Sequence, residues 1–100
     1  MIKVNLIGNN DKIEFLGHAM YDSSGKDIVC AGVSSVVITT INAILSFDEN
    51  SIKYESLPDN FYIVVIKHSL ITDKLLLNMI NMLKDIEEDY PKNIKIRKEN

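Results

Sequence analysis

The sequence predicts an α+β fold in which two helices pack on a mainly antiparallel sheet, in the order ββαββαβ. Three observations carry this reading. Short runs that alternate apolar and polar residues occupy both ends and the middle of the chain, two longer stretches repeat apolar residues at helical spacing, and clusters of turn-forming residues separate them. With 100 residues, 46% hydrophobic and 25% charged, the chain has the composition of a single globular domain.

Each element follows from its own pattern. In "IKVNLI", residues 2–7, Ile2, Val4 and Leu6 fall on one face of a half-buried strand. "GNND" reads as a turn, and "KIEFLGHA" alternates again through Ile13, Phe15 and Gly17, giving a hairpin whose second strand runs out at His18. Residues 20–26, "MYDSSGK", have the composition of a mobile loop. In "VCAGVSSVVITTINAILSF", Val33, Val37, Thr40, Ile41 and Ile44 recur at helical spacing, so burial of that face is expected to override the strand preference of its β-branched residues. Asp27 fits the N-cap of this helix, where a carboxylate accepts first-turn N–H groups.

"SIKYES" and "FYIVVIKH" read as two further strands joined by the turn "LPDN", the second nearly all apolar and therefore internal to the sheet. His68 closes that strand, with an exposed strand-end role. Residues 70–90 form the second helix, with Leu75, Leu76, Met79, Leu83, Ile86 and Tyr90 on one face, ended by Pro91. "NIKIRK" returns to the sheet as the last strand.

Composition excludes some classes of function. A formal net charge of −3 gives no electrostatic reason to bind nucleic acid, and the C-terminal group Lys92, Lys95, Arg97 and Lys98 reads as a solvated strand and tail. A lone cysteine cannot close an internal disulfide, and the N-terminus lacks a secretory pattern, so a reducing cytoplasmic location is expected. No run of about 18 uninterrupted apolar residues is present, and no transmembrane segment is expected. Four ligands for zinc could be imagined in Cys30, His18, His68 and Asp27, but without paired metal-ligand spacing no metal or other cofactor is expected.

The residues that could carry chemistry surround the predicted loop. With Asp27 as cap, Cys30 is the third helical residue, where unpaired N–H groups and the helix dipole favour a thiolate. Magnitudes set the requirement. A thiol of pKa about 8.5 is about 3% ionised at pH 7, and lowering it by two units costs about 2.7 kcal/mol. An exposed helix end supplies only about 0.3 to 1 kcal/mol, so a second positive charge is needed. A protonated His18 beside the sulfur would supply it and could then protonate a leaving amine. The first-turn N–H groups would form an oxyanion hole, Ser34 lies one turn beyond Cys30, and Gly17 and Gly32 would let a peptide backbone approach.

Each of these residues also has an ordinary structural explanation. A single cysteine can be a small buried hydrophobe, His18 a strand-end histidine, Asp27 only a cap, and Ser34 a hydroxyl bonded to the turn before it.

Gly17, His18 and Ala19, then Gly25, then Asp27, Val29, Cys30, Ala31, Val33 and Ser34, with "IEEDYP" near the C-terminus, resemble the signature of the ribosomal-processing cysteine proteases, the Prp family. The resemblance implies a cytoplasmic, homodimeric endopeptidase that removes a short N-terminal extension from large-subunit ribosomal protein twenty-seven. It carries the family's catalytic cysteine and histidine to Cys30 and His18, and supporting roles to Asp27 and Ser34. It also implies that residues 20–26 are a mobile loop over the substrate cleft. The rival from another class is a non-catalytic module that binds a ribosomal protein or nascent peptide in the same cleft.

Overall fold

The computed structural model describes residues 1–17 and 28–99. His18, Asp27 and the predicted loop 20–26 lie outside the described residues. Seven elements follow in the expected order: β1 (Ile2–Ile7), β2 (Lys12–Leu16), α1 (Ile28–Phe47), β3 (Ile52–Ser56), β4 (Asn60–Val65), α2 (Leu70–Asp89) and β5 (Ile94–Glu99).

The strands form one sheet in the order β3-β4-β2-β1-β5. The β1–β2, β2–β4 and β3–β4 pairs are antiparallel, with Val4 opposite Phe15, Phe15 opposite Phe61 and Tyr54 opposite Ile63. β5 alone pairs in parallel, with Val4 beside Ile96. The cause is the length of α2, whose twenty residues span about 30 Å and return the chain to the pole where β1 begins.

Alternation decides which face is covered. Val4, Ile13, Phe15, Phe61 and Ile63 are 0–1% exposed and meet Val33, Val37 and Ile44 of α1 and Leu76, Met79 and Leu83 of α2, all likewise at 0–1%. Phe15 and Phe61 pack edge to face, their ring centroids 5.9 Å apart. The other face carries polar contacts across strands: Asn5 to Glu14, Tyr62 to Glu55, and the Lys12 ammonium 4.8 Å above the Tyr62 ring.

All five predicted face residues of α1, Val33, Val37, Thr40, Ile41 and Ile44, are buried. By length and composition α1 could cross a bilayer, with a mean hydropathy of 2.1. Its stripe of seven buried residues places it instead against the core, while Ser35, Thr39, Asn42 and Ser46 face outward along its length and Ile28, Ala31 and Phe47 are exposed toward its ends. Thr40 is accommodated in the buried face by donating its hydroxyl to the Val36 carbonyl at 2.8 Å.

Three boundaries differ from expectation. Tyr90 does not share the buried face of α2; it caps the helix at φ −131° and is 43% exposed, since the residue before Pro91 is driven out of helical geometry. β2 stops at Leu16, because Gly17 turns out of the strand at φ +88°. β4 ends at Val65, not at His68. The N–H groups of Ile66 and Lys67 both donate to the Ser51 carbonyl, which bends the chain toward α2, where the Ser69 hydroxyl caps the Thr72 N–H at 3.2 Å.

Candidate active site

Two segments that the sequence singles out border the undescribed loop. One is the end of β2. The other is the first turn of α1, and both lie toward the pole where α2 ends, because the Ile86 side chain near that end reaches Gly32 of α1.

Gly17 is fixed by backbone demands within the chain. Its φ of +88° disfavours any L side chain, and a Cβ there would collide with the Met1 carbonyl oxygen. Room for a substrate backbone, the role expected from the sequence, is therefore not needed to explain this glycine. Gly17→Ala is predicted to lower stability by about 1–3 kcal/mol. A shifted midpoint in chemical denaturation checks it, and an unchanged midpoint would contradict the geometry. Gly32 differs, since a Cβ there would meet Ile86 Cδ1 at an ordinary 3.7 Å, so neither backbone conformation nor α1–α2 packing requires a glycine at this position.

Cys30 is the third residue of α1, as predicted, and is 7% exposed among core residues that include Val29 and Val33. Opposing effects act on its ionisation. Removal from water disfavours the thiolate, whereas the first-turn amides of a twenty-residue helix favour it. Among the described residues the first turn of α1 carries no acidic side chain. Ser34 is half-buried one turn further along. Thus Gly17, Cys30 and Ser34 are placed, while His18 and Asp27, which would complete the site, lie outside the described residues.

His68 belongs elsewhere. Its neighbour Lys67 pairs at 3.1 Å with Asp48, the residue after α1 ends, so His68 lies at the far end of that helix from Cys30. An ion shared by Cys30 and His68 is excluded by the roughly 30 Å length of α1. Among the described residues no group of three or more His, Cys, Asp or Glu side chains is arranged to hold a metal ion. The His68 ring sits between two carboxylates, Asp73 and Asp11, each 2.7 Å away, and these contacts raise its pKa above the ordinary 6.5. The sequence reading missed this cluster, because Asp11 is 57 positions from His68. Ser69 before the apolar start of α2 was a legible cap signal that the reading also missed.

Residues 1–95 match the family model described as cysteine protease Prp. The ribosomal processing cysteine protease Prp of Staphylococcus aureus is 35% identical over 98 residues, covering 95% of this chain and 92% of its own length. Its counterpart from Bacillus subtilis is 27% identical over 110 residues, covering 96% of each. Among solved structures, the essential ribosomal processing protease Prp from S. aureus with a covalently linked product peptide superposes with a TM-score of 0.82 at 30% identity, over 98% of this chain and 99% of that one. The same protease with a substrate peptide gives a TM-score of 0.79 at 27% identity, with the same coverage.

Proposed function

The chain belongs to the cysteine protease Prp family, and from that membership we propose that it removes an N-terminal extension from large-subunit ribosomal protein twenty-seven, with Cys30 as nucleophile and His18 as base and acid. One observation carries the reading. A cysteine protease needs a thiol, this sequence has one cysteine, and that cysteine occupies the first turn of a long helix.

The chemistry proceeds in two halves. The Cys30 thiolate bonds to the scissile carbonyl carbon, and the first-turn amides of α1 hold the oxyanion. As the C–N bond breaks, the His18 imidazolium gives its proton to the leaving amine. Neutral His18 then takes a proton from water, whose oxygen attacks the thioester and releases the new carboxylate, and the thiol returns. The S. aureus relative seen with a covalently linked product peptide supports a covalent route. Asp27 caps α1 and orients His18, Ser34 contacts the substrate or the imidazole, and Gly17 holds the strand end that precedes His18. No cofactor takes part. Family membership further supports a cytoplasmic homodimer that works on a peptide, in keeping with a net charge of −3 that disfavours RNA.

The alternative is a module that binds the same peptide without turnover, and the 7% exposure of Cys30 favours it. Incubating the protein with a peptide that spans the processing junction, followed by mass spectrometry, separates the two. Two fragments are expected, and a peptide that stays whole while bound would establish the module instead.

A further inference from the structure

The His68 ring faces a carboxylate at each of its nitrogens, Nδ1 to Asp73 Oδ1 and Nε2 to Asp11 Oδ1, both at 2.7 Å. A neutral imidazole carries a single N–H and could donate to only one of them, leaving a lone pair against the other carboxylate. Two short contacts to ionised acceptors require both nitrogens to donate, which only the imidazolium does.

We propose that Asp11, His68 and Asp73 form a proton-dependent clasp that fastens the β1–β2 turn to the start of α2, at the end of the fold remote from Cys30. Each jaw is held by its own backbone. Asp11 donates its N–H to the Ile7 carbonyl at 3.0 Å and accepts the Val65 N–H at 2.8 Å, so the turn is docked where β4 ends. Gly8 leaves room for the acid, because a Cβ there would lie 2.5 Å from Asp11 Oδ2. Asp73 donates its N–H to the Ser69 carbonyl in the first turn of α2. Its charge there is favoured by the helix dipole, which by itself would repel the imidazolium.

The charged groups next along the chain to these three residues are Lys12 on β2, Lys67 before α2 and Lys74 within it. Lys12 turns to Glu14 and the Tyr62 ring, and Lys67 to Asp48. The ring's hydrogen-bond partners are its two carboxylates, Asp73 first and then Asp11, which outweigh its partial burial and raise its pKa above 6.5. The side chains are 40–61% exposed, so salt screens the clasp and its effect is modest.

The sign follows from this direction. A raised folded-state pKa gives stability that is complete below the unfolded value of about 6.5 and is lost as pH rises through the folded value. Proton NMR can follow the only two histidines of the chain, and His68→Gln identifies the signal. The His68 resonance is expected to titrate with a midpoint above 6.5 and to fall toward 6.5 in Asp11→Asn/Asp73→Asn. The melting temperature of wild type is expected to exceed that of His68→Gln by about 2–5 °C at pH 6, and the gap should shrink by pH 9.5. Peptide cleavage by His68→Gln should be unchanged, given the distance to Cys30. A His68 midpoint at or below 6.5, or a melting gap equal at both pH values, would overturn the clasp.

Discussion

Replacing Cys30 with alanine should abolish peptide cleavage, by at least about 10³-fold in turnover, while leaving the fold in place. The loss is large because the sequence holds no second thiol to take over, and every covalent step of the proposed route passes through this sulfur. The cost to stability should be small, about 1 kcal/mol, because the side chain lost is one of the smallest in the core. Circular dichroism alongside the mass-spectrometric assay reads both effects, and retained cleavage by Cys30→Ala would end the assignment of the nucleophile. The role of the histidine is reached separately, through the rate at which the thiol is alkylated at pH 7. Loss of the imidazole in His18→Ala should slow alkylation, and an unchanged rate would mean that His18 is not the partner of the sulfur.

The second large effect concerns stability. Phe61→Ala should destabilise the fold by about 3–5 kcal/mol, a sizeable share of the 5–15 kcal/mol that holds a domain of this size together. Phe61 is 1% exposed and its ring contacts two others, Phe15 at 5.9 Å and Tyr54 at 6.1 Å between centroids. Truncation would leave a cavity between β2, β3, β4 and α1, whose Ile38 and Ile41 share a small recess with Phe61. A urea midpoint equal to that of the wild type would show that the surroundings collapse into the space.

Much of the fold was legible because it rests on local period. Alternation in "IKVNLI" placed Ile2, Val4 and Leu6 on the covered face, and all three are at most 6% exposed. The α1 stripe was readable against the β-branched composition, since the spacing of Val33, Val37 and Ile41 suits only a helix that buries that side. The order ββαββαβ followed, and it agrees with the fold of the solved Prp structure.

Errors arose where a neighbour in space set the outcome. β4 continued apolar past Val65 in sequence, yet the Ser51 carbonyl collected the next two amides and turned the chain. Gly17 read from sequence as a place for substrate, and the fold adds a second demand for glycine there, its φ of +88° and the Met1 carbonyl that a Cβ would strike. At the candidate site the sequence specified Cys30 at the third position of α1, and the fold supplied its burial, which no local pattern reports.

The amino-acid order by itself determined the family, the succession of elements and the position of the one thiol, because motif spacing and side-chain period are properties of neighbours along the chain. Tertiary structure alone decided that β5 joins β1 in parallel and that a histidine and an aspartate 57 positions apart meet at 2.7 Å. Those outcomes depend on the direction in which α2 returns across the sheet and on which loops then meet, and such contacts leave no periodic trace in the chain.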